Sequence, residues 1–112
     1  MEVIDKSLGS GFEDYVKPGE VFMFSKSYCP YCDEAKHILE NLEIKFKCIE
    51  CDEVKVPDAV ISEMQKRSGI KTYPNIWVDG KSIGGCDKLK AAKANGSLFK
   101  MLDEAKISYK KS

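Results

Sequence analysis

The sequence predicts an α/β fold, a mixed four-stranded sheet flanked by helices, and three observations carry that expectation. A strand, a helix and a second strand follow one another over residues 21–48; a pair of strand patterns flanks Asp79-Gly80; and two helical patterns close the chain. A parallel strand pair joined through a helix, followed by an antiparallel hairpin, gives such a sheet.

Each element has its own local reason. Phe12 to Val16 reads as a short helix before a turn at Pro18-Gly19. Val21 to Phe24 is an unbroken apolar run of β-formers, suited to a strand covered on both faces. From Pro30 the period changes: Ala35, Ile38, Leu39 and Leu42 fall on one face of an amphipathic helix. Ile44, Phe46 and Cys48 alternate with Lys45 and Lys47 as a second strand. Pro57-Asp58 opens a helix with Val60, Ile61 and Met64 on one side and Gly69 as its terminator. Pro74 to Val78 and Lys81 to Ile83 form a hairpin across Asp79-Gly80, which Gly84-Gly85 ends. The last helices run from about Asp87 to Ala94 and through Leu98, Met101, Leu102 and Ala105.

The 112 residues, 43% of them hydrophobic, suffice for one core and not for two, so a single domain is expected over 1–112. Residues 1–11 read as a flexible N-terminal segment and 107–112 as a C-terminal tail. Lysine plus arginine number 18, as do aspartate plus glutamate. No overall basic field exists to hold nucleic acid or an anionic membrane, and neither is expected as a partner. Met1 to Tyr15 carries Glu2, Asp5, Glu13 and Asp14 and no apolar run, unlike a secretory signal or a basic transit peptide. No stretch is long enough to span a bilayer. A cytoplasmic monomer is the expectation. Five cysteines, an odd number, argue against a disulfide framework and for reduced thiols engaged in redox catalysis or metal binding.

Cys29-Pro30-Tyr31-Cys32 carries the chemistry. Proline favours the first helical position, which makes Cys29 the N-cap. The open N–H groups of the first turn and the positive end of the helix dipole then favour a charged sulfur. Lys26, in the preceding loop, adds a cation nearby. Thiolate is the nucleophile, so Cys29 attacks, and either Cys32, one turn on, or an outside thiol resolves. His37 lies about 12 Å along the helix from Cys29 and is assigned to the surface or a second layer. With Cys48-Ile49-Glu50-Cys51, the first pair also matches a zinc spacing. Zinc needs four converging ligands, whereas residues three apart on a strand point to opposite faces, so no metal site is assigned. Cys48 is expected in the core and Cys51 near the surface.

Lys26 with Cys29-Pro30-Tyr31-Cys32, then Thr72-Tyr73-Pro74, then Gly84-Gly85-Cys86-Asp87, in that order, resemble a dithiol glutaredoxin of the thioredoxin-like fold, over about residues 12 to 105. The resemblance implies a glutathione-dependent oxidoreductase that reduces protein-glutathione mixed disulfides and protein disulfides, with glutathione as co-substrate and no tightly bound cofactor. It implies a cis Tyr73-Pro74 bond facing Cys29, with the Tyr73 backbone pairing to the cysteine of glutathione. The γ-glutamyl end would lie at Gly85 and Cys86 with Asp87 near its ammonium, at a helix start that offers N–H groups to a carboxylate. Tyr31 and Thr72 would flank the groove. The chain departs from the family twice: Tyr73 stands where Val is common, and Ile61 where Gln or Arg often meets the glycyl carboxylate. Among Lys26, Gln65 and Lys71, Lys26 is the best substitute for that contact. Two other readings remain open. One is a module that holds an iron-sulfur cluster or zinc through Cys29. The other is a redox switch at Cys86, itself at a helix start, or Cys51.

Overall fold

The computed structural model describes residues 1–110. In chain order it contains β1 (Glu2–Ile4), a single 3-10 turn (Phe12–Asp14), β2 (Val21–Ser25), α1 (Pro30–Asn41) and β3 (Lys47–Glu50). These are followed by α2 (Asp58–Ser68), β4 (Asn75–Val78), β5 (Lys81–Gly84), α3 (Cys86–Asn95) and α4 (Ser97–Glu104). The strands form one sheet in the order β1-β3-β2-β4-β5. β1 and β2 run parallel to β3, whereas β4 is antiparallel to both β2 and β5.

The sheet therefore has five strands, not four. Glu2, Val3 and Ile4 pair with Lys47, Cys48 and Ile49, and Ile4 is buried, so the start of the segment expected to be loose is an edge strand. The ladder of β3 begins at Lys47, later than the alternation of Ile44, Phe46 and Cys48 suggests. Ile44 and Phe46 are buried all the same, in a loop that Glu43 enters with φ 55°. At the other end of the chain, Ile107 and Tyr109 pack on the core, Tyr109 donates to Asp103 at 2.9 Å, and Lys110 N–H donates to the Leu42 carbonyl at 2.6 Å. The expected tail is thus tied down through residue 110; residues 111 and 112 lie outside the described residues.

Strand alternation supplies the sheet with two apolar faces. Val21 and Met23 of β2 join Ala35, Leu39, Cys48, Leu89, Leu98 and Leu102 on the side of α1, α3 and α4. Phe22 and Phe24 face the other way, with Phe12, Tyr15, Ile49, Val60, Met64 and Trp77 on the side of α2. The continuous apolar run in β2 is explained by these two covers, and all five of its residues are buried. Helix α2 ends as its sequence predicts: Gly69 takes φ 76° and donates to the Gln65 carbonyl at 2.9 Å.

Candidate active site

The C-terminal end of β2 delivers the chain into a short loop, and the loop delivers Cys29 to the start of α1. Asp52 fixes that loop, accepting from the Ser27 backbone N–H at 2.9 Å and from the Ser27 hydroxyl. Cys29 N–H donates to the Lys26 carbonyl at 3.2 Å. Pro30 is the first helical residue and Cys29 the N-cap, with extended backbone (φ −100°, ψ 114°). Its sulfur accepts the Cys32 backbone N–H at 3.3 Å, which engages one of the open donors of the first turn. The helix end thus presents a hydrogen-bond donor and a positive dipole to this sulfur.

Cys29 also faces the far side of the groove. Its thiol donates to the Tyr73 carbonyl at 3.7 Å, and the Tyr73-Pro74 bond is cis, as the resemblance implies. Cys29 is partly exposed, and the Tyr28 and Tyr31 side chains on either side of it in the sequence are exposed. Cys32 is fully buried. Burial pushes the Cys32 thiol up to about 12; the Ser25 hydroxyl pulls it down and Cys29 pushes it further up. The pair thus combines one open sulfur and one withdrawn from solvent.

The other cysteines divide as the strand geometry requires. Cys48 packs into the apolar face under α1, and Cys51 lies against the opposite face. The two point apart, which removes the convergence that zinc needs. Burial pushes both thiols up to about 11. Cys51 is more enclosed than the surface position expected of it, since the turn after β3 folds it back and its N–H donates to the Ser25 carbonyl at 2.8 Å. Cys86 is also buried, and burial raises its thiol, with the Glu34 carboxylate adding to the rise. Burial thus opposes the sensitising effect that a helix start exerts on a thiol.

Gly84 takes φ 106°, a backbone state that suits glycine, and a Cβ on Gly85 would stand 3.5 Å from the Pro74 carbonyl. The start of α3 therefore lies close beside Pro74, with Gly85 as N-cap, no side-chain cap, and Asp87 exposed in its first turn. Thr72 and Lys71 are exposed, and Gln65 is half-buried. Ile61 packs on the apolar cluster of the α2 side and so brings no polar group to the groove. His37 is on the exposed side of α1. The Lys26 ammonium lies 5.0 Å above the centre of the Tyr73 ring. This contact was not expected from the sequence, and its one signal there was the large aromatic at position 73.

The family model for glutaredoxin matches residues 21–83. The chain is similar to glutaredoxin-1 of Rhizophagus irregularis, 42% identical over 90 residues that cover 80% of this chain and 89% of that protein. It is also similar to a glutaredoxin of Ricinus communis, 37% identical over 83% of this chain and 91% of that one. Among solved structures, a buckwheat glutaredoxin-glutathione complex superposes with a TM-score of 0.69, at 35% identity, over 76% of this chain and 77% of that one. A mutated buckwheat glutaredoxin gives 0.74 at 32% identity, over 83% and 84%.

Proposed function

The chain belongs to the glutaredoxin family and is a glutathione-dependent thiol oxidoreductase, and on that premise we propose that Cys29 and Cys32 run a dithiol cycle on protein-glutathione mixed disulfides and protein disulfides. One observation carries this reading: Cys29 is partly open while held between the Cys32 N–H at 3.3 Å and the Tyr73 carbonyl at 3.7 Å. An entering disulfide therefore meets a sulfur at a helix start, beside a backbone edge that a peptide can pair with.

The Cys29 thiolate attacks the glutathione sulfur of a mixed disulfide. A new S–S bond joins Cys29 to glutathione, the old one breaks, and the protein thiolate leaves with the electron pair. A second glutathione thiolate then attacks the glutathione sulfur, releasing glutathione disulfide and restoring Cys29. With a protein disulfide, Cys29 binds one sulfur of the substrate and Cys32, having lost its proton, attacks Cys29. The released substrate is then a dithiol, and two glutathione thiols in succession reduce the resulting Cys29–Cys32 bond and leave as glutathione disulfide. Ionisation removes the thiol's bond to the Tyr73 carbonyl and strengthens the one received from Cys32 N–H, so the charged sulfur keeps its donor.

For binding, the backbone of Tyr73 pairs with the cysteine of glutathione. The start of α3 at Gly85 and Cys86, with Asp87, receives the γ-glutamyl end, and Lys26 receives the glycyl carboxylate. Tyr31, Thr72 and Pro74 line the groove between them. A relative's glutathione complex supports glutathione as the ligand, and the short approach of Gly85 to Pro74 supports a groove running past both. A monomer in a reducing, cytoplasmic setting fits five free thiols.

The test is turnover of a small glutathione mixed disulfide. Cys29→Ser is expected to abolish it, whereas Cys32→Ser keeps a substantial share, because a second glutathione can resolve in place of Cys32. An inactive Cys32→Ser beside an active Cys29→Ser would reverse the roles.

A further inference from the structure

The Tyr73 side chain does something that its backbone role leaves unexplained. Lys26 holds its ammonium over the ring at 5.0 Å from the centroid. The ring itself is held. Tyr73 packs against the apolar cluster on the α2 side, and burial pushes its phenol up to about 12, with the neighbouring Cys51 sulfur adding to the rise. Cys51 is in turn fixed by its bond to the Ser25 carbonyl. A lysine stem has four flexible carbons, and ordering it costs rotamer entropy; a fixed ring face attracts the ammonium and meets that cost before any ligand arrives.

The same residue presents its carbonyl to Cys29, so one residue sets both the ligand's cysteine and the cation beyond it. Direction follows from the other end. Gly85 stands by the Pro74 carbonyl, so an extended tripeptide thiol with its γ-glutamyl end there runs past Pro74 and Tyr73. Its C-terminal carboxylate then emerges on the side of the Tyr73 ring. Ile61, partly buried against apolar neighbours, supplies no polar group to meet it.

We propose that the Tyr73 side chain is a positioning residue for substrate specificity, holding the Lys26 ammonium where the C-terminal carboxylate of an extended tripeptide thiol arrives. This rests on the glutathione reading above. The Ser27 hydroxyl and backbone N–H hold the Asp52 carboxyl below its usual range, and the Lys26 charge adds a smaller pull.

The experiment is a double-mutant cycle on the full chain, with Tyr73→Leu and Lys26→Met alone and combined. KM is measured for a glutathione mixed disulfide and for its counterpart with a C-terminal amide. Tyr73→Leu should raise KM for the acid by about two- to fivefold, the size of an exposed cation–ring contact. The rise should be clearly smaller for the amide, and smaller again when Lys26 is already methionine. Tyr73→Phe keeps the ring and should keep the parent's preference for acid over amide, which tests the idea even where the leucine variant folds poorly. Equal effects on acid and amide, substitutions that simply multiply, or a fall in KM on losing the ring would each overturn it. Cys29→Ser, assayed alongside, reports on the underlying chemistry separately, since it should be inactive with both substrates.

Discussion

At the residue scale, one N-cap decides which sulfur works first. Cys29 accepts the Cys32 N–H at the open end of α1, while Cys32 is buried and its thiol pushed up to about 12. Resolution by Cys32 then depends on whatever lowers that thiol, and the side chain that does so most is the buried Ser25 hydroxyl. Ser25→Ala should slow turnover of a protein disulfide by about two- to tenfold, the worth of one hydrogen bond. In a Cys32→Ser background, assayed on a glutathione mixed disulfide, the same change should have little effect. Equal losses in both settings would mean that Ser25 acts on something other than Cys32. The cap was legible in the sequence because Pro30 marks a helix start by its own chemistry. The Lys26 contact with Tyr73 was not, since it joins the loop after β2 to the residue before Pro74 across the sheet.

At the element scale, the strands that flank the site read clearly and the edge did not. β2 announces itself as the apolar run Val21 to Phe24 and extends to the buried Ser25, and the Asp79-Gly80 turn appears where predicted, with φ 53° and 76°. β1 has three residues, two of them exposed, too few to show alternation, and it exists through its register with β3. Similarly, Ile44 and Phe46 alternate inward like strand residues, but the pairing starts only at Lys47. Burial pattern reports which way a side chain faces; hydrogen-bond partners far along the chain decide whether it is strand. If β1 belongs to the fold, Ile4→Ala should cost about 2 kcal/mol in urea denaturation, the low end for a buried isoleucine. No measurable loss would leave the sheet with four strands.

At the scale of the whole molecule, burial sorts five chemically identical thiols. Cys32, Cys48 and Cys51 are pushed up to about 12, 11 and 11, and Cys86 is raised as well, in each case first by desolvation. Cys29 is partly exposed at a helix start. Pro30 at the first helical position foretold which cysteine this would be; the silence of the others came from packing on two faces of a sheet, which spacing alone does not specify. The most direct test is to treat the reduced protein at pH 7 with limiting iodoacetamide and map the label by peptide mass. The first equivalent should sit on Cys29, with Cys32, Cys48, Cys51 and Cys86 unmodified. Label arriving first on Cys51 or Cys86 while Cys29 stays free would contradict the account.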